Sequence, residues 1–288
     1  MRLVAVVLNW NGGEDTLAAL ASLEGIETIC VDNGSSDGSD RAVEERFPDV
    51  ELIRTGENLG FAGGCNAGIE RALSRGADWV LLLNNDAVAG GGLADALAAA
   101  AAARPDAGVL ACKVYFAEPP DVLMYAGGEV WLALGYWGRQ AGFGKRDDGS
   151  FDTLRDTGRA TGAAMAVSRA AIERAGLLDD SLFLYGEDAE WCIRIAKAGF
   201  AIVFVPDAKA WHVGSAGTGG LKSPTSLYYD TRNLIDVAER HRPLPRGARA
   251  LRRAVVVGAH LLLVRNLAGL RAVLAGWRDA RRGRLGPR

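Results

Sequence analysis

Two short acidic turns hold the residues of this chain best suited to chemistry. Leu81-Leu82-Leu83-Asn84-Asn85-Asp86 runs an apolar strand into a carboxylate, and Gly186-Glu187-Asp188 sets two more at the start of an amphipathic stretch. Ligands of open α/β sheets bind at the carboxyl ends of strands. A carboxylate there can hold a hard divalent cation against a diphosphate, and one away from the cation can take a proton from a hydroxyl. Asp86 is the candidate for the first task and Asp188 for the second, with Glu187 orienting the acceptor or Asp188. Plainer explanations stand beside these. Asn-Asn-Asp is a good turn, and acids at a helix start are favoured by the macrodipole alone.

Other residues gather around the same chemistry. Asp32 ends a second strand in Val31-Asp32-Asn33-Gly34-Ser35-Ser36-Asp37-Gly38-Ser39, where it can accept from the imide of a pyrimidine or simply close a turn. Glu57 to Gly68 (ENLGFAGGCNAG) has so little side chain that backbone can approach a diphosphate, or a helix can pack tightly on the sheet. It matches neither a Walker loop nor a GxGxxG fingerprint. His212 follows a strand and suits a metal only jointly with Asp86. Arg232, in Tyr228-Tyr229-Asp230-Thr231-Arg232-Asn233, can fork a phosphate or lie solvated.

The elements that must position these residues alternate. Strand patterns at Leu3–Leu8, Thr28–Val31, Val50–Arg54 and Trp79–Leu83 are each followed by a helical pattern, which predicts an α/β fold with a mainly parallel sheet. From Val109 to Phe151 the pattern loosens into an irregular excursion with short strands. A strand at Ala164–Val167 and helices at Arg169–Ala175 and Asp188–Ala198 follow. The strand Ala201–Val205 is expected to end at Pro206, and a helix covers Tyr228–Arg240. Beyond Pro243 and Pro245, Ala248–Arg282 reads as helical.

Charge is uneven along the 288 residues. From Arg242 onward there are twelve arginines and one acid, Asp279. With the whole chain at −2, residues 1–241 carry −13. A basic amphipathic helix suits an anionic membrane surface, though packing on the body or on a second subunit, as a homodimer, accounts for it as well. The four cysteines are far apart, which argues against zinc or redox motifs and for reduced thiols in the cytoplasm. No stretch reaches the roughly 20 apolar residues of a spanning helix, and no signal peptide opens the chain.

In their order, these motifs resemble glycosyltransferase family 2, most closely its bacterial rhamnosyltransferase-like members. The resemblance runs from about Val4 to Arg240. It rests on VVLNWNG, VDNGSSDGS, ENLGFAGGCNAG, LLLNNDA, TGAAMAVSR, FLYGEDAEWCIR, AWHVG and YYDTRN. It implies a GT-A fold over residues 1–241, with a nucleotide-binding half of about 1–108 and an acceptor-binding half of about 109–241. Residues 242–288 then form a basic amphipathic helical tail.

It also implies an inverting transfer from dTDP-rhamnose or a UDP-sugar to a hydroxyl in cell-surface polysaccharide or glycolipid synthesis. Asp188 would be the base, and Asp86 with His212 would hold Mg²⁺ or Mn²⁺. Asn9, Asn11, Asp32, Asn33, Gly60, Asn66, Asn84, Asn85 and Arg232 are the expected nucleotide-sugar contacts; Gly162 and Trp191 face the acceptor. Nucleic acid is not an expected partner. The expected location is the cytoplasm or the inner face of its membrane. One departure is that Asn84 stands where the family's Asp-x-Asp motif has its first acid. A non-catalytic sugar-nucleotide-binding scaffold with a decayed metal site is the alternative. A nucleotidyltransferase would call for a basic glycine-rich loop, and Asn9-Trp10-Asn11-Gly12-Gly13 has no Lys or Arg.

Overall fold

The computed structural model describes residues 1–135, 137–214 and 223–288. Alternation governs the first part: β1 (Leu3–Asn9), α1 (Gly13–Ala21), β2 (Glu27–Asp32), α2 (Ser39–Arg46), β3 (Glu51–Arg54), α3 (Gly60–Ser74) and β4 (Trp79–Asn84). A short β5 (Ala87–Ala89) and α4 (Leu93–Ala103) follow. Next come β6 (Ala107–Phe116), β7 (Leu123–Tyr125), β8 (Arg155–Asp156), β9 (Ala164–Ser168), α5 (Arg169–Ala175), α6 (Glu187–Lys197) and β10 (Ala201–His212). Three helices close the chain: α7 (Pro224–His241), α8 (Arg246–Leu261) and α9 (Leu267–Arg281).

All the strands join one sheet, whose main path is β3-β2-β1-β4-β9-β6-β10-β5. The first four strands are parallel, as the alternation requires. Strand β9 runs antiparallel between β4 and β6. Helices cover the sheet, and the core is made of aliphatic runs such as Val4–Val7 and Val80–Leu83 with no more than 2% exposure. Strands buried on both faces read as unbroken apolar runs.

Register brings the site together. Asn9 pairs with Asp32 and Leu8 with Asn84, so three polar residues end neighbouring strands at one edge. Leu83 opposes Ala164, which brings Gly162 and Ala163 to the same edge. His212, the last residue of β10, opposes Ala87 just after Asp86.

Three expectations about elements are corrected. The excursion from Val109 hides a ten-residue central strand, β6, whose nearly complete burial leaves no alternation to read. Pro206 does not end β10. The pairing with β6 jumps from Val205–Cys112 to Lys209–Lys113, and Pro206, which cannot donate to a ladder, lies inside that irregularity. The tail is two helices rather than one, with Asn266 accepting from the Gly269 N–H to start the second.

The tail is packed on the body. An added Cβ at Gly276 of α9 would lie 2.5 Å from the Tyr228 carbonyl of α7, so the two helices meet backbone to backbone. Arg253 of α8 pairs with Glu239 through two bonds of 2.5 and 2.7 Å. Helix α8 is inverted in polarity. Its buried face carries Arg252, Val256 and His260. Its exposed face runs Gly247, Leu251, Ala254, Val255 and Gly258, continuing to Leu262, with Leu251 67% and Leu262 82% exposed. Among the described residues, no helix is long and apolar enough to cross a membrane.

Candidate active site

A cleft of about 830 Å³ opens at the carboxyl edge of the sheet. Asp86, His212, Gly162, Glu187 and Asp188 line it, together with Asn11, Asn33, Gly60, Asn84 and Asn85. The two acidic turns are about a hundred residues apart in sequence, yet one short segment joins them. The Asn84 N–H donates to the Ala163 carbonyl at 3.0 Å, and the Gly162 N–H donates to Asp188 Oδ2 at 2.9 Å. A Cβ on Gly162 would come within 3.2 Å of Phe61 and 3.7 Å of the Asp188 Cβ, so glycine keeps this junction narrow.

Asp86 Oδ1 and His212 Nε2 are 2.8 Å apart. The other ring nitrogen of His212 is 3.2 Å from the Met124 sulfur. The Asn84 Nδ2 lies 3.2 Å from His212 Nε2, while the buried Asn84 Oδ1 has no hydrogen-bond partner. Amide orientation follows from the surrounding network, and half a turn of this amide directs the unpaired oxygen at His212. Asp86, His212 and the Asn84 oxygen are then donors of the kinds that divalent cations accept. Among the described residues no three His, Cys, Asp or Glu side chains cluster, so diphosphate oxygens would have to complete the coordination.

Glu187 is buried at the first turn of α6. Burial, and then the neighbouring Asp188, push its carboxyl up to about 8. Its Oε2 has no hydrogen-bond partner. Gly186, at φ +90°, precedes it, and a Cβ there would lie 2.4 Å from the Trp137 ring.

The loop Phe183-Leu184-Tyr185-Gly186 forms one wall. Phe183 (φ 64°) and Tyr185 (φ 67°) sit in the left-handed region, at a cost of about 1–3 kcal/mol each. The motif in α7 holds this loop. Asn233 Nδ2 donates to the carbonyls of Leu182, Leu184 and Tyr185, at 2.7–3.0 Å.

Several expected contacts lie elsewhere. Arg232 is 1% exposed and does not line the cleft. Its guanidinium donates to the carbonyls of Leu182 and Gly286 and to Asn233 Oδ1, so its donors serve the fold and do not fork a phosphate. Trp191 is fully buried and donates to the Gly176 carbonyl, so it belongs to the core and cannot touch an acceptor. Asn66 clamps Leu178 through both its amide atoms, away from the cleft.

Asn9 is a buried hub. Its Nδ2 donates to Asp32 Oδ1, Ser35 and Ser39, and its Oδ1 accepts from Gly12 and Thr16. Asp32 is 4% exposed, also accepts from the Ser35 N–H, and stands behind the cleft lining. Asn33 does line the cleft, but its amide ties the loop at Asn58, Leu59 and Gly60. Gly60 is required there, since a Cβ at its φ of +76° would strike the Phe183 carbonyl at 2.4 Å.

Sequence reasoning missed Arg159, Trp137 and Asp230, all of which line the cleft. Asp230 accepts from Trp137 Nε1 at 2.5 Å and meets His260 of α8 at 2.7 Å. The lone signal was Asp230 inside the YYDTRN motif.

The chain is similar to known proteins in sequence and in fold. A sequence profile described as "Glycosyltransferase like family 2" matches residues 14–234. An N-acetylglucosaminyl-diphospho-decaprenol L-rhamnosyltransferase of Mycobacterium tuberculosis is 31% identical over 270 residues, covering 84% of this chain and 87% of that one. A low-salt glycan biosynthesis hexosyltransferase of Haloferax volcanii is 26% identical over 80% of this chain and 73% of its own. Among solved structures, S. aureus TarS 1-349 in complex with UDP-GlcNAc aligns with a TM-score of 0.59 at 15% identity, covering 97% of this chain and 81% of that one. The mannosyltransferase PcManGT of Pyrobaculum calidifontis, in complex with GDP-Man and Mn²⁺, gives 0.57 at 19% identity, covering 98% and 82%.

Proposed function

The chain belongs to glycosyltransferase family 2, and from that membership we propose an inverting, cation-assisted transfer of rhamnose or a related hexose from a nucleotide diphosphate. The observation that carries the reading is the Asn84–Ala163 and Gly162–Asp188 pair of hydrogen bonds, which ties a cation-binding turn to a base.

Asp86 and His212, with the Asn84 amide oxygen, are the residues that would hold Mg²⁺ or Mn²⁺ beside the donor diphosphate. Such a cation supplies charge neutralisation on the departing group. Asp188, fixed by the Gly162 N–H, accepts the proton of the acceptor hydroxyl as that oxygen attacks the anomeric carbon from the opposite face. One displacement inverts the centre. Glu187 is kept neutral by burial beside Asp188.

Residues of about 1–108 serve the donor and about 109–241 the acceptor in this reading. A dTDP-linked rhamnose is the first donor to test, with UDP-sugars next, and the relative from Mycobacterium tuberculosis suggests a lipid-linked acceptor. Retention of Asp188, Asp86 and His212 in one cleft argues against the scaffold alternative.

The tail bears on location. Seven of the fifteen exposed large apolar side chains among the described residues fall between Leu251 and Leu274, amid exposed arginines such as Arg265, Arg271 and Arg278. A second copy of this face would bring arginine against arginine. An anionic lipid surface on the cytoplasmic side satisfies both the charge and the apolar stripe.

The decisive experiment incubates the protein with a donor panel and Mg²⁺ or Mn²⁺, scoring nucleoside diphosphate release and the anomeric configuration of the product. Tight nucleotide binding with no release from any donor would return the scaffold reading. A retained configuration would remove the single displacement.

A further inference from the structure

Arg159 is the only Lys or Arg among the described residues that line the cleft, which also carries Asp15, Asp86, Glu187, Asp188 and Asp230. Its backbone is anchored, since its carbonyl accepts from the Tyr125 hydroxyl. Its side chain is not. Nε is buried without a hydrogen-bond partner, and among the described residues the guanidinium makes no ion pair. An arginine remains charged at any pH a protein survives, and a half-buried cation without a counter-charge is costly.

Its place along the chain gives it direction. Ala163 meets the Asn84-Asn85-Asp86 turn, Gly162 holds Asp188, and Arg159 stands three residues further from the turn. The chain between Gly162 and Arg159 spans at most about 10 Å. A hydroxyl at Asp188 is therefore separated by only a short stretch of chain from the Asn84-Asn85-Asp86 turn and from Arg159. That reach is on the scale of one sugar ring and its anomeric substituent.

We propose that Arg159 binds the phosphate of the acceptor, a saccharide carrying a diphosphate on its anomeric carbon of the kind that the name of the Mycobacterium tuberculosis relative gives. This rests on the transferase reading above. Burial imposes a neutral form on Glu187, whose carboxyl feels the field of Arg159, so that carboxyl does not neutralise the guanidinium. A planar fork suits a phosphate better than a point charge does.

The test uses two probes with the same sugar and lipid: a short-chain N-acetylglucosaminyl diphospholipid and the uncharged N-acetylglucosaminyl lipid glycoside. Arg159→Gln should raise KM for the diphospholipid about ten- to a hundredfold, the scale of a charge-assisted contact. Its kcat, its donor KM and its use of the uncharged glycoside should not move, and Arg159→Lys should fall between. Equal losses on both probes, or no loss on either, would overturn the assignment. Should the wild type use neither probe yet release nucleoside diphosphate into water, the acceptor class fails while the transferase stands. Release from no donor would bring down both.

Discussion

Polar residues at the ends of β1 and β2 satisfy one another, whereas those around Gly162 do not. Asn9, Asp32 and Asn33 bond to their own loops. Asn84, Arg159 and Glu187 each keep a buried polar atom without a partner. Both groups are rich in amides and acids, so composition alone does not separate them. Satisfied polar groups fix loops. Unsatisfied ones cost about 1–3 kcal/mol each, and three of the residues that carry them line one cleft.

The contrast breaks or sharpens under substitution. Asp188→Asn should have the largest effect, lowering kcat about 10²–10⁴-fold with donor affinity unchanged, read by turnover beside donor titration. Wild-type-like turnover would take Asp188 out of the reaction. Asp86→Asn should weaken Mn²⁺ binding to the nucleotide-loaded protein by at least about tenfold, measured by calorimetry. Undiminished binding would place the cation elsewhere.

Asn9→Ala tests the satisfied group. It strands several buried partners, each worth about 1–3 kcal/mol, so the melting temperature should fall by several degrees while the folded fraction keeps its donor KM. A selective loss of donor binding would make Asn9 a contact after all.

Glu187 has a signature in pH. Burial lifts its folded value to about 8 from the ordinary 4.5, so between these the folded chain holds a proton that the unfolded chain has lost. Its contribution to stability therefore declines as pH rises through that window. Glu187→Gln, neutral throughout, should flatten the decline and melt above wild type beyond about pH 8. Parallel curves for the two proteins would contradict the buried neutral acid. The smallest effect belongs to the tail. Leu251→Glu or Leu262→Glu should each reduce partition onto anionic liposomes, by about 1.5–3 kcal/mol if the side chain inserts, with nucleotide affinity untouched. Point changes are needed because α8 and α9 pack on α7, and truncation would strip that helix.

Much of the molecule was legible beforehand. The parallel half of the sheet followed from the run of βα units, and the sequence placed Asp86, His212, Glu187 and Asp188, which line one cleft. Strand β6 was hidden because its burial erases the two-residue period. Arg232, Trp191 and Asn66 were misread for one reason: motif position fixes which element a residue sits on, but not whether its side chain points at a ligand or at a neighbouring carbonyl. Arg159 was missed because it sits in an irregular segment whose course no local pattern reveals.

The jump between Val205 and Lys209 sets the phase of the remaining residues of β10. Side chains on a strand alternate between faces, so removing one residue from the Pro206-Asp207-Ala208 stretch would turn His212 to the opposite face if the pairing beyond slipped by one residue to take up the loss. The sheet could survive that deletion while Asp86 lost its imidazole neighbour. A slip outside the cleft would thus act on the proposed cation site through the strand that carries His212.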